Sequence, residues 1–485
     1  MRGSGFLAGL VALAILAGCE PSPPSPTPTP TSEPVFTILT AQQVWMTDPA
    51  LATRDADAIV STSAFQRLMR VQPGTGELKP DAATDCIFTS PTVYECTLPK
   101  DLKFHNGDEL TASDVKFSIQ RALRLNNSDT GTALLSSLDS ITTDSDLVVR
   151  FQLSYPDSQF GYALATVAAS IVDEEVYDPD AALEGLPVGS GPYSVTSIEE
   201  EAVTFEIFAD YKGPLTGGIA KIRLAAVADS VAAEAAMSAG VADAVWRTLD
   251  DAALTRTQMA AAATPAPDYS YTRVPRPGAR VTVLAWNADS KHRSNATLRS
   301  GVALALQPDR TLDSLVPVGV VGHAAAFPVG GREELPKLKK RVNLTLGYDP
   351  TAPGHADMAR LLRERLEQIG SLSVRVVAQT DADLVLLDQL PWVDNALGWL
   401  QRYLAYPLEE SADQLASLEV AYRSAATEAV ALQQLAKLQA QAADDLSVLP
   451  VSQSDGILLL KTGVSLIGEP YGPGGQLGLW GFRVG

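Results

Sequence analysis

Leu102-Lys103-Phe104-His105-Asn106-Gly107-Asp108-Glu109-Leu110-Thr111-Ala112-Ser113-Asp114-Val115-Lys116-Phe117-Ser118 is the most informative globular stretch of the 485-residue chain. Asn106-Gly107 is a strong tight-turn signal, because both residue types tolerate left-handed backbone. Thr111 and Asp114 have the spacing of a capping box, in which each side chain satisfies a free N–H of the other. Val115, Ile119, Ala122 and Leu123 then fall on one face of a helix.

Upstream, Ser90-Pro91-Thr92 reads as a turn that sets Cys86 opposite Cys96 and Phe88 opposite Tyr94 on one face of a hairpin. An oxidising compartment would pair the two cysteines, with a structural role, since no Cys-x-x-Cys redox motif is present. Val35–Leu39 is a strand candidate, Asp48-Pro49 ends a turn, and Ala58–Met69 has helical spacing. Downstream come a strand over Val148–Leu153, a Gly/Pro-punctuated crossing at Pro187–Tyr193, strands over Val203–Phe208 and Ile219–Leu224, and a helix over Val231–Ala239.

Thr264-Pro265-Ala266-Pro267 marks an interior break, and a boundary is placed at Tyr271. Beyond it, Val281–Trp286 is a strand and Thr297–Leu306 a helix. Val342, Leu344, Leu346 and Tyr348 alternate as a strand, Met358 to Ile369 line a helix, and Leu372, Val374 and Val376 alternate again. Strand, helix and strand in so short a span form a βαβ unit with parallel strands. Asp383–Leu387 reads as a buried strand, Ala425–Asp445 as a long helix, and Leu449–Val451 and Ile457–Leu460 as two further strands. The fold class is α/β.

The first stretch reads Met1-Arg2-Gly3, an apolar run from Phe6 to Ala17, and Leu16-Ala17-Gly18-Cys19. The apolar run is too short for a stable membrane anchor and fits a secretory signal. Its ending resembles the lipobox of bacterial lipoproteins, which implies a signal peptide over residues 1–18 and an acylated (palmitate-bearing) Cys19. The alternative is an ordinary secretion signal that contains a cysteine. From Glu20 to Pro34, seven of fifteen residues are proline, so this segment favours extended polyproline II and would act as a spacer of roughly 45 Å.

With 46% apolar and 19% charged residues the remainder has a globular composition. A formal net charge of −20 argues against nucleic acid and against electrostatic docking on anionic membranes.

The ordered set of signals resembles the bacterial extracellular solute-binding proteins of family 5, the receptors of peptide, dipeptide and nickel ABC importers. The matching pieces are Asp48-Pro49; Leu102–Gly107 with Leu110–Ser118; Val188-Gly189-Ser190-Gly191-Pro192-Tyr193; Ala239-Gly240-Val241-Ala242-Asp243; Trp286-Asn287; Leu298-Arg299 with Ala303 and Asp309-Arg310; and the βαβ unit with the helix before Leu449-Pro450-Val451. The resemblance implies a two-lobed periplasmic-binding-protein-like fold of type II, class C, with an inter-lobe ligand cleft and an extra subdomain in the first lobe. It divides the chain into a first-lobe core of 35–49, 186–270 and 451–485, an inserted subdomain of 50–185 and a second lobe of 271–450. It implies a monomeric, membrane-anchored, extracytoplasmic receptor that passes peptides to an ABC permease. Alternatives are a receptor for an oligosaccharide or metal chelate, and an envelope sensor or scaffold with the same fold.

Catalysis finds no support. The histidines His105, His292, His323 and His355 are scattered without metal-ligand spacing, Gly189-Ser190-Gly191 lacks the spacing of a nucleophile elbow, and Gly472–Gly475 lacks the Lys of a phosphate loop. No cofactor is expected. Candidate ligand contacts are Trp45, Trp246, Trp286 and Trp392, whose wide apolar faces suit varied solutes. Core or rim packing is the alternative for each. Arg247 could meet a carboxylate or be solvated. Asp394 falls where, by the resemblance, peptide-binding members pair an aspartate with the peptide ammonium, although the flanking Tyr and Pro are missing here.

Overall fold

The Pro-Gly-rich segment Pro275-Arg276-Pro277-Gly278 lies inside a strand rather than ending one. The computed structural model describes residues 35–485 except 128, 263–267, 332, 333, 337 and 339. Cys19, the signal segment and the proline spacer therefore lie outside the described residues. Tyr271–Trp286 and Val448–Lys461 form two long strands paired antiparallel from Tyr271↔Lys461 to Ala285↔Val448, with a register shift between Arg276 and Arg280. The shift accommodates Pro277, which donates no ladder bond, and Gly278 at φ +63°.

On one side of the shift Val448–Lys461 pairs with Ala244–Trp246, and the sheet continues through Phe36–Thr40, Lys221–Ala226, Ala202–Ile207 and Tyr193–Glu199. On the other side Tyr271–Trp286 pairs with Leu384–Gln389, followed by Val342–Tyr348 and Leu372–Val377. The strands Val342–Tyr348 and Leu372–Val377 are parallel, as the βαβ spacing predicts, and His355–Leu366 is the crossover helix. The ten-stranded sheet is thus two half-sheets joined by two strands that run through both. The sequence reading split Val448–Lys461 into two strands and began the other at Val281, because a period-2 pattern cannot be followed through Pro, Gly and a bulge.

The expected hairpin is present. Asp85–Ser90 and Val93–Thr97 pair with Cys86 opposite Cys96, joined as a disulfide, and Phe88 opposite Tyr94. With Val148–Leu153 and Leu138–Ser145 they make a separate four-stranded sheet. The helix Ala112–Leu125 lies against it and opens with the expected capping box between Thr111 and Asp114. The first helix is Asp55–Ala64, not 58–69. The chain leaves it at Phe65 because the next residues lead into the strand Met69–Val71. Ile59, Val60, Ala64 and Phe65 pack with Phe36, Ile38, Tyr193 and Leu458, so this helix belongs to the core of the first half-sheet.

His105 joins the turn to the crossing. Its backbone N–H donates to Gly189 O at 2.8 Å, its Nδ1 accepts from Gly189 N at 3.3 Å, and its Nε2 donates to Gly191 O at 3.1 Å. A Cβ on Gly189 would lie 2.1 Å from Ala64 O, and one on Gly191 2.6 Å from Ser63 O, so the crossing can pass the first helix only as glycine. No described helix is long and apolar enough to cross a membrane.

Candidate ligand cleft

Between the half-sheets lies a cavity of about 450 Å³. Thr40 to Gln42, Thr53 to Asp55 and Trp246-Arg247 wall it on one side. Val283, Asp349, Thr351 to Pro353, His355, Val385, Leu387 to Leu390, Trp392, Gln401, Arg402 and Tyr406 wall it on the other, and Asp129 also lines it. Contacts across it hold the walls together: Gln42 Nε2 donates to Asp349 Oδ2 at 3.0 Å, Tyr406 Oη to Asp129 Oδ1 at 2.7 Å and Trp392 Nε1 to Asp129 O at 3.3 Å. The volume suits a small solute.

Strand ends place the polar groups. Asp388, near the end of the apolar strand Leu384–Gln389, accepts from Arg280 Nε at 2.9 Å and Thr282 Oγ1 at 3.0 Å, and lies 3.0 Å from His355 Nε2. Burial pushes its pKa up, but the His355 hydrogen bond and the Arg280 charge outweigh burial and hold it down at about 2. Asp388 is therefore ionised and already neutralised. Asp55 accepts from Trp246 Nε1 at 2.8 Å. Asp349 is satisfied by Gln42 and Thr351.

Arg247 follows the strand Ala244–Trp246 with φ +53°, a left-handed conformation costly for a residue with a long side chain. Its guanidinium stacks 4.6 Å from the Trp246 ring centroid and donates from Nη2 to Ala279 O at 2.9 Å. Burial lowers its pKa, against the pull of Asp55 and Asp388, and it forms no salt bridge among the described residues.

Of the candidate residues, Trp246, Arg247 and Trp392 line this cavity. Trp286 lines an adjoining one of about 180 Å³ that shares Asp129, Arg402 and Tyr406. Trp45 is exposed, with Arg54 stacked 5.2 Å from its ring. Trp45 and Asp394 are not among the residues lining either cavity. Asp394 accepts from Arg276 Nη2 at 3.1 Å and Trp399 Nε1 at 2.9 Å. Trp246 itself is fully buried, packed 6.0 Å from Tyr471. Sequence reasoning missed Asp55, Arg402, Asp388 and His355. Asp388 carried a signal, a charge near the end of an apolar buried strand, whereas the others sit in loops or first turns whose positions depend on tertiary contacts.

The profile of the "Bacterial extracellular solute-binding proteins, family 5 Middle" matches residues 77–352. Among solved structures, the PBP AgaA from A. tumefaciens R10 in complex with agropinic acid superposes with a TM-score of 0.78 at 17% identity, covering 93% of this chain and 98% of that one. A dipeptide binding protein from Pseudoalteromonas sp. SM9913 in complex with Met-Leu gives 0.76 at 18%, covering 93% and 100%. The architecture is thus the two-lobed periplasmic-binding-protein fold. Among curated proteins, the HTH-type transcriptional regulator SgrR of Pectobacterium atrosepticum is 30% identical over 166 residues, 34% of this chain. The match spans only 28% of that relative's length.

Proposed function

The chain belongs to the bacterial extracellular solute-binding proteins of family 5, and from that premise we propose that it is an extracytoplasmic receptor that encloses a small solute between its lobes and delivers it to an ABC permease. The observation that carries this reading is the cavity of about 450 Å³ walled by both half-sheets. Closure around a solute that touches both walls is a population shift driven by those contacts. Family 5 proteins are receptors, so no hydrolysis is expected.

Peptides are the first solutes to test, since relatives of this fold hold them. Anchoring of a peptide ammonium by Asp394 draws no support from its surroundings, because Arg276 and Trp399 already engage that carboxylate. An oligosaccharide or a metal chelate remains the alternative solute. Acylation of Cys19, the tether and a monomeric state complete the reading. Intact-mass analysis of the membrane-extracted protein tests the lipid, and a Cys19→Ser variant released from membranes is the expected counterpart.

Native mass spectrometry of the whole chain after incubation with a small-molecule extract, followed by melting-temperature shifts across peptides and other solutes, tests the receptor reading. One retained solute supports it, and none retained by any preparation opposes it. A second reading, sensing rather than import, is supported by the curated relatives' description as transcriptional regulators. Deleting the gene separates the two: lost uptake favours import, and unchanged uptake with an altered envelope response favours sensing.

A further inference from the structure

The cavity's charges are unequally matched. Every lining carboxylate already has a donor: Asp55 from Trp246, Asp129 from Tyr406, Asp349 from Gln42 and Thr351, and Asp388 from Arg280 and Thr282. The lining guanidiniums Arg54, Arg247 and Arg402 make no salt bridge among the described residues. Arg54 stacks on Trp45, Arg402 on Tyr406 at 5.9 Å, and Arg247 on Trp246. Arg54 and Arg247 belong to one wall and Arg402 to the other, so a closed empty cleft sets like charges on facing walls.

Arg247 is the best defined of the three. Its Nη2 is fixed on Ala279 O and its face on Trp246. Arg276 and Arg280 flank it and are each paired to another carboxylate, Asp394 and Asp388. A strained backbone, a preset guanidinium and no salt bridge among the described residues, with the nearby Asp55 and Asp388 held by other donors, together describe an anion-binding group. The cavity wall also carries Trp246, Trp392, Val283, Leu387 and Leu390, which suits an organic anion with an apolar body.

We infer that the solute is a compact organic acid whose carboxylate is bound by Arg247, with Arg402 closing on it from the second lobe. This rests on the receptor reading and narrows it.

The test is a titration of the whole chain with matched acid and amide probes: N-acetyl-dialanine against its C-terminal amide, glutarate against glutaramide, and gluconate against glucose. At least one acid is expected to bind and its neutral partner not. Arg247→Gln should weaken that acid by ~10- to 100-fold, the worth of a charge-assisted hydrogen bond, and Arg247→Lys should recover part of the loss. Should Arg247→Gln not fold, Arg402→Gln is expected to show the same acid-selective weakening. Neutral partners that bind as tightly as the acids, or an Arg247→Gln affinity equal to wild type, would overturn the inference and leave the receptor standing. Binding of no probe, while native mass spectrometry of extract-incubated protein retains a solute that lacks an acidic group, would also overturn the inference alone. No retained solute of any kind would remove the receptor reading as well.

Discussion

His105 stands at the turn that made the opening stretch legible, and the structure shows what the side chain does there. It accepts from Gly189 and donates to Gly191, so it is neutral with the proton on Nε2. Burial, opposed by the Gly191 hydrogen bond, lowers its pKa from 6.5 to about 4. The unfolded chain then binds a proton that the folded chain refuses between those values. Stability is complete above pH 6.5 and falls as pH drops towards 4, by up to about 3 kcal/mol. Denaturant titrations at stepped pH should show this slope in the wild type and a flatter one in His105→Asn. Equal slopes would mean that His105 titrates normally. The motif was readable from sequence because a turn, a capping box and a Gly-rich crossing each have local signatures. Of the cleft, Trp246, Arg247 and Trp392 were named from sequence, whereas the left-handed backbone of Arg247 and its bond to Ala279, 32 residues away, could not be read there.

Elements were legible in proportion to how local their determinants are. The disulfide hairpin and the βαβ unit appear with the expected partners. The helix Ala412–Arg423 was overlooked although Leu415, Leu418 and Tyr422 recur at helical spacing, and the long helix begins at Glu428. The early Asp48-Pro49 motif acquires a physical reason. Asp48 Oδ1 caps Ala50 N, and its two oxygens meet Arg121 Nη1 at 2.9 Å and Nη2 at 2.5 Å. This fully buried pair ties the segment after the first strand to the helix Ala112–Leu125, and Arg121 also donates to the carbonyls of Asp178 and Ala181. Asp48→Ala leaves a buried guanidinium without its counter-charge and should cost about 3–5 kcal/mol, read as a lower denaturant midpoint. A loss below 1 kcal/mol would show that solvent reaches the pair.

At the scale of the molecule, two half-sheets share two strands, and the account predicts that they rotate against each other at the register shift between Arg276 and Arg280. Gln42 and Asp349 meet across the cleft. Gln42→Ala should favour opening and raise the dissociation constant of a bound solute roughly two- to tenfold, without altering the melting temperature of the empty protein. Globular composition bounded the class of the chain, and motif order supplied the two-lobed architecture. The two through-running strands escaped because prolines mask a continuous strand. The most direct test of a hinged solute trap is the distance between spin labels on Ile207, at the end of a first half-sheet strand, and Leu361, on the crossover helix of the second half, both exposed, with and without a small-molecule extract depleted of macromolecules. The account predicts a broad distribution that collapses to the shorter distance when a solute is retained. One narrow distance, identical in both conditions while a solute is retained, would contradict it.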